Sequence, residues 1–169
     1  MKKILSLLFF CAFALGGYSQ ENAEIVKKGQ QVPAFSIHTE DGKIINISDC
    51  NGDVVLVNFF ATWCGPCRKE LPVLQEKVWR KYKDNSHFKL FVIGREHSPQ
   101  EVAKFKKDQK FEFPIYADKG RSIYGKFANS LIPRNYLIDK AGKVVFVSSG
   151  FTEEEFNEMV KLIDKLLAE

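Results

Sequence analysis

Asp53 to Ala61 (DVVLVNFFA) is a nearly continuous apolar run of β-branched and aromatic residues, and TWCGPC follows it directly. A strand that is apolar on both faces must be covered on both faces, so the run predicts a central strand in a layered α/β structure. Beyond CGPC, Leu71, Leu74, Val78 and Tyr82 recur at spacings of three and four with charges between them, which predicts a helix. Pro72 lies inside that helix, lacks a backbone donor and is expected to kink it.

The remaining chain supports the same architecture. Ala34 to Thr39 alternates as a strand, Asp41-Gly42 is a turn signal, and Lys43 to Ile47 returns as a second strand. Ser48 to Gly52 reads as a loop, and His87 to Gly94 as a second buried strand. Ser98-Pro99-Gln100-Glu101 has the cap, first-turn proline and capping glutamate of a helix start. Phe111 to Ala117 contains a short extended piece, and Arg121 to Ala128 a turn or two of helix. Arg134 to Asp139 and Lys143 to Ser149 flank Ala141-Gly142 as a hairpin. Thr152 to Leu167 reads as the last helix, with a Thr152–Glu155 capping box and a Phe151–Phe156 staple. Strand, helix, strand makes a parallel βαβ unit, and the late hairpin adds antiparallel strands.

The first nineteen residues have another character. Lys2 and Lys3 precede an apolar stretch from Ile4 to Leu15, and small residues end at Ser19, the layout of a secretory signal peptide. The apolar stretch is twelve residues long, whereas a spanning helix needs about 20. Cleavage and an extracytoplasmic location, periplasmic or secreted, are therefore expected, with no stable membrane insertion afterwards. Gln20 to Gln31 is expected to be a flexible lead-in, and 32–169 one domain. Removing Lys2 and Lys3 lowers the formal net charge from +4 to +2, which argues against a nucleic-acid partner. Lys104, Lys106, Lys107 and Lys110 are interrupted by acidic residues and read as a solvated helix face.

Cys50, Cys64 and Cys67 remain in the expected mature chain. The Cys64–Cys67 pair lies where the central strand ends and a helix begins. A helix N-terminus offers unpaired N–H groups and a partial positive charge, so it stabilises a thiolate at Cys64. Three-residue spacing puts both sulfurs on one helix face, and Pro66 occupies the first turn, where its missing N–H costs little. The expected result is an exposed nucleophile backed by a resolving thiol, suited to thiol–disulfide exchange. Zinc would need more ligands, but there is no second CxxC, and His38, His87 and His97 are scattered. As a structural staple the pair would close a very small loop and constrain little of the unfolded chain.

VVLVNFFATWCGPCRKELP, the ISDCNGDVVLVNF lead-in, Ile132-Pro133 and the YLIDKAGKVV hairpin together resemble the thioredoxin superfamily. The likeness spans roughly 32–167 and is greatest to the extracytoplasmic thioredoxin-like reductases of the TlpA and ResA kind. It implies a thioredoxin-like α/β fold: a central mixed sheet flanked by helices, with an N-terminal β-hairpin extension. It implies Cys64 as attacking and Cys67 as resolving cysteine, and Trp63, Gly65, Pro66, Ile132 and Pro133 as the partner-binding rim. Pro133 matches a cis-proline, and Pro72 the kink proline. Asn58 stands where cytoplasmic thioredoxins carry a buried aspartate, so Glu70 is implied as the base for Cys67, against the plain alternative of a surface charge. Arg134 and Asn135 depart from the small hydroxyl residues common after that proline, which puts the partner-binding surface in question. Cys50 is expected to be a buried small hydrophobe.

The resemblance further implies a dithiol that needs no other cofactor, client proteins bearing disulfides, and resupply of electrons by a membrane thiol–disulfide donor. Two other readings stand beside it: a thiol peroxidase of the peroxiredoxin kind, and a peptide-binding or chaperone module with a vestigial dithiol. Thr62, two residues before Cys64 and without a suitable preceding proline, fits the peroxidase poorly.

Overall fold

The computed structural model describes residues 23–169. The expected signal peptide, 1–19, and the start of the lead-in lie outside the described residues. A small antiparallel hairpin, β1 (Ser36–His38) and β2 (Ile44–Asn46), comes first. Gly42 supplies its turn at φ +81, a left-handed conformation that favours glycine. The expected loop at Ser48 to Gly52 begins instead as a 3₁₀ turn, Ile47–Cys50, with Asp49 accepting from the Asn46 N–H at 2.9 Å.

The central strand β3 (Val54–Phe60) is buried at every position, as its composition requires. Helix α1 (Gly65–Leu74) follows, with Pro72 inside it. One π turn (Gln75–Trp79) and a last helical turn (Arg80–Tyr82) continue it. The chain then forms β4 (Phe88–Arg95), α2 (Pro99–Gln109), β5 (Ile115–Asp118), α3 (Tyr124–Phe127), β6 (Arg134–Ile138), β7 (Val144–Ser149) and α4 (Glu153–Ala168). The large sheet has the order β5-β4-β3-β6-β7. β3, β4 and β5 run parallel through helical crossovers, while β6 and β7 pair antiparallel. The α/β mixed sheet and the hairpin extension expected from sequence are both present.

Side-chain parity along β3 divides the core. Val54, Leu56 and Phe60 face the cluster built with Leu71, Leu74, Val102, Met159 and Ile163 from the helices. Val55, Val57 and Phe59 face Phe35, Ile37, Tyr124, Phe127 and Tyr136 beneath the hairpin and α3. Each such large apolar side chain contributes roughly 1.5–3 kcal/mol on full burial. Asn58 falls among the first set, so a polar group stands in the apolar layer under α1.

Two expectations are corrected here. The lead-in is not loose from Ala23 onward: Ala23 and Val26 are buried. Ile25 and Val26 both donate backbone bonds to the Phe127 carbonyl at 3.0 Å, and Gly29 donates to the Val144 carbonyl at 2.7 Å. Polar composition concealed this, because the segment is held mainly through its backbone. At α4 only half of the expected capping box forms. Thr152 Oγ1 accepts from the Glu155 N–H at 3.3 Å, while the Glu155 carboxylate contributes negative potential at Glu70. The Phe151–Phe156 staple is present, with ring centroids 5.9 Å apart.

Candidate active site

The strand-to-helix junction places Cys64 at the N-cap of α1 with extended backbone, and its sulfur accepts the Cys67 N–H at 3.2 Å. One of the helix's otherwise unpaired donors therefore already points at Cys64 Sγ. Cys64 and Cys67 form a disulfide. The turn leading into it is closed by the Cys64 N–H donating to the Ala61 carbonyl at 3.1 Å.

Cys67 is fully enclosed, and Cys64 is only 5% exposed, so the expectation of an exposed nucleophile is corrected. The opposing loop sits against it: Cys64 Sγ lies 3.7 Å from the Ile132 carbonyl oxygen. The Ile132-Pro133 bond is cis. The rim around the pair is accessible, since Gly65 and Pro66 are exposed and Ile132 half-buried. Trp63 is 64% and Leu131 48% exposed, unusual for large apolar groups. Pro133 itself is buried.

Glu70, one turn beyond Cys67 on α1, is completely buried and is not a surface charge. It rests on a row of polar side chains from three neighbouring strands. Asn58 of β3 pairs in register with Asn135 of β6, and Asn135 with Ser148 of β7. Asn58 Nδ2 donates to Glu70 Oε2 at 2.9 Å, and Asn135 Nδ2 to Glu70 Oε1 at 2.5 Å. Asn58 also donates to Asn135 Oδ1 at 2.9 Å, and Asn135 to Ser148 Oγ at 3.2 Å. Burial pushes the Glu70 carboxyl up to about 7, against the two amide donors that hold it down; the charge of Glu155 raises it further. An acid in that range can exchange protons near neutral pH.

Asn135 thus serves this site from below and is buried rather than on the partner surface where its place after Pro133 put it, and Ser148, which sequence does not single out, steadies it. Arg134 does not lie on the partner surface either. It is 2% exposed, with Nε donating to the Ser130 carbonyl at 3.0 Å and one terminal nitrogen 3.9 Å from Glu24 of the lead-in. Cys50 is free and buried, as expected of a small hydrophobe, and burial raises its thiol pKa. Among the described residues no group of three or more His, Cys, Asp and Glu stands together as a metal site.

The AhpC/TSA family model matches residues 28–147. The chain is 33% identical over 146 residues to the thiol-disulfide oxidoreductase ResA of Bacillus cereus, covering 85% of this chain and 83% of that protein. To ResA of Bacillus subtilis it is 31% identical over 163 residues, covering 93% and 88%. A solution structure from Bacteroides thetaiotaomicron, of a protein assigned as a protein disulfide isomerase, superposes with a TM-score of 0.83 at 39% identity, covering 87% and 94%. The likeness to the ResA thiol-disulfide oxidoreductases favours disulfide exchange over the peroxidase and binding-module readings. The chain therefore belongs to the AhpC/TSA family, has a thioredoxin-like fold, and is a thiol–disulfide oxidoreductase similar to ResA.

Proposed function

We propose that the protein is an extracytoplasmic reductase of disulfides in client proteins. The observation that carries this is the Cys64–Cys67 disulfide seated on the α1 N-terminus, with the buried Glu70 one turn behind it. In the reduced protein, Cys64 thiolate attacks one sulfur of a client disulfide. A mixed disulfide forms and the client's other sulfur leaves as a thiolate. Glu70 takes the proton of Cys67, whose thiolate then attacks Cys64 Sγ. The second client sulfur leaves, the client has gained two electrons, and the Cys64–Cys67 disulfide is restored.

Trp63, Gly65, Pro66, Ile132 and Pro133 form the rim on which the client backbone is held. The Gly-Pro dipeptide is that of thioredoxin and supports the reducing direction. Electrons return from a membrane thiol–disulfide donor, and residues 1–19 act as the export signal. No helix among the described residues is long and apolar enough to cross a membrane. The dithiol needs no further cofactor. The reduction potential of the pair in a glutathione or dithiothreitol buffer tests the direction: a value near the roughly −270 mV of thioredoxin supports it, and one near −120 mV overturns it.

A further inference from the structure

We propose that His97 is a positioning residue for the dithiol, whose Nε2 fixes the turn that delivers Cys64 to the helix N-terminus. The inference rests on the reading of Cys64–Cys67 as a working pair. His97 follows β4 and immediately precedes the Ser98 cap of α2, far from the CGPC segment in sequence. In space its ring reaches across the top of the sheet, and Nε2 accepts the Thr62 N–H at 3.0 Å. Thr62 is the first central residue of the Ala61–Cys64 turn. Its amide therefore sits between strand β3 and the reacting sulfur.

The ring is placed for this contact. The His97 N–H donates to the Gly94 carbonyl at 3.3 Å, and the imidazole packs 6.3 Å from the Phe60 ring centroid. A side chain at position 94 would force Val102 out of its place and press on the His97 ring. A Cβ there would lie 2.7 Å from Val102 Cγ1 and 3.3 Å from the His97 ring. Glycine at 94 lets the imidazole and α2 close over the end of β4.

Packing alone does not account for the residue. His97 is 5% exposed, and its Nδ1 is buried with no hydrogen-bond partner among the described residues. Because Nε2 accepts, the ring is neutral and Nδ1 carries the proton. An apolar ring would fill the space without that unpaired donor. What the imidazole supplies in exchange is the acceptor for Thr62. Without it the Thr62 amide loses its partner, the turn loosens, and Cys64 Sγ is held less firmly against the helix N–H groups that stabilise its thiolate.

The test uses the full chain and the variants H97L and H97Q. Gln places an oxygen where Nε2 stood; Leu supplies no acceptor. In the reduced wild type, alkylation of Cys64 by iodoacetamide at neutral pH is fast, and C64S abolishes both that modification and disulfide reduction. In H97L the alkylation rate falls ~5-fold or more, within the span of one lost hydrogen bond. The potential moves ~20 mV more negative, a fivefold change in equilibrium constant at about 30 mV per decade. H97Q restores both to within ~2-fold of wild type. Wild-type rates in H97L, or equal loss in both variants, overturn the acceptor role. Nitrogen-15 shifts of the His97 imidazole in the wild type give an answer independent of any substitution. Protonated Nδ1 with bare Nε2 is expected, and protonated Nε2 contradicts it. An unreactive Cys64 in the wild type would instead overturn the reading of the dithiol itself.

Discussion

Asn135 donates to Glu70 at 2.5 Å although 65 positions separate them in the chain. The contact exists because β6 pairs beside β3 in a register that sets Asn135 against Asn58, with α1 lying across both. A buried acid is thereby held by two amide donors on the face of the sheet that carries the dithiol.

Removing one donor should move the acid's pKa in a known direction. The bonds from Asn58 and Asn135 lower the Glu70 pKa while burial raises it, to a balance of about 7. N135L should therefore raise it above that value. Cys67-dependent resolution of a mixed disulfide, followed by stopped flow across pH, should show its lower inflection displaced to higher pH; an unmoved inflection contradicts Glu70 as the proton acceptor.

The same acid links pH to stability. Glu70 goes from 4.5 to about 7 on burial, so between those values the folded chain keeps a proton that the unfolded chain has released. The stability that Glu70 contributes is full below pH 4.5 and is lost as pH rises through 7, about 3 kcal/mol in all at 1.36 kcal/mol per pH unit. Urea unfolding of the oxidised protein from pH 4.5 to 8 should show this decline, and E70Q should lack it. A wild type as flat as E70Q contradicts the shift.

Much of this was legible in the sequence and some was not. The apolar run of β3 and the CGPC segment after it declared the central strand, the helix and the working pair, because each depends on local pattern. Glu70 could be suspected from its helical spacing to Cys67, but its burial could not. Asn135 and Ser148 depend on sheet register across distant strands, which period-two alternation does not reveal. The lead-in is held from Ala23 onward by backbone bonds to Phe127 and Val144, which composition does not record. Cys64 is more covered than expected because the Ile132 loop, distant in sequence, closes against it.

Asp118 secures that second loop from a distance. It is 3% exposed and accepts from the Tyr124 N–H at 2.8 Å and the Ile123 N–H at 3.2 Å. Tyr124 in turn donates through its hydroxyl to the Leu131 carbonyl at 2.8 Å. D118A strands these buried donors and should cost about 2–4 kcal/mol in urea unfolding, with slower client reduction as the Leu131–Pro133 loop loosens. A loss below ~0.5 kcal/mol, the size of an ordinary surface substitution, would remove Asp118 from this role.

The two cysteines should separate by function. C67S keeps the attacking thiol but lacks the resolving one, so it should accumulate a mixed disulfide with a disulfide-bearing peptide, visible by mass spectrometry. C64S should accumulate none, because Cys67 is fully enclosed. Equal trapping by both variants contradicts the assignment.

The central claim is that the helix N-terminus holds Cys64 as a thiolate, and the ultraviolet absorbance of the reduced protein titrated with pH tests it most directly. The account predicts that Cys64 ionises well below the ordinary cysteine value of about 8.5, and that C64S removes this transition. An ionisation at or above about 8.5 would contradict it.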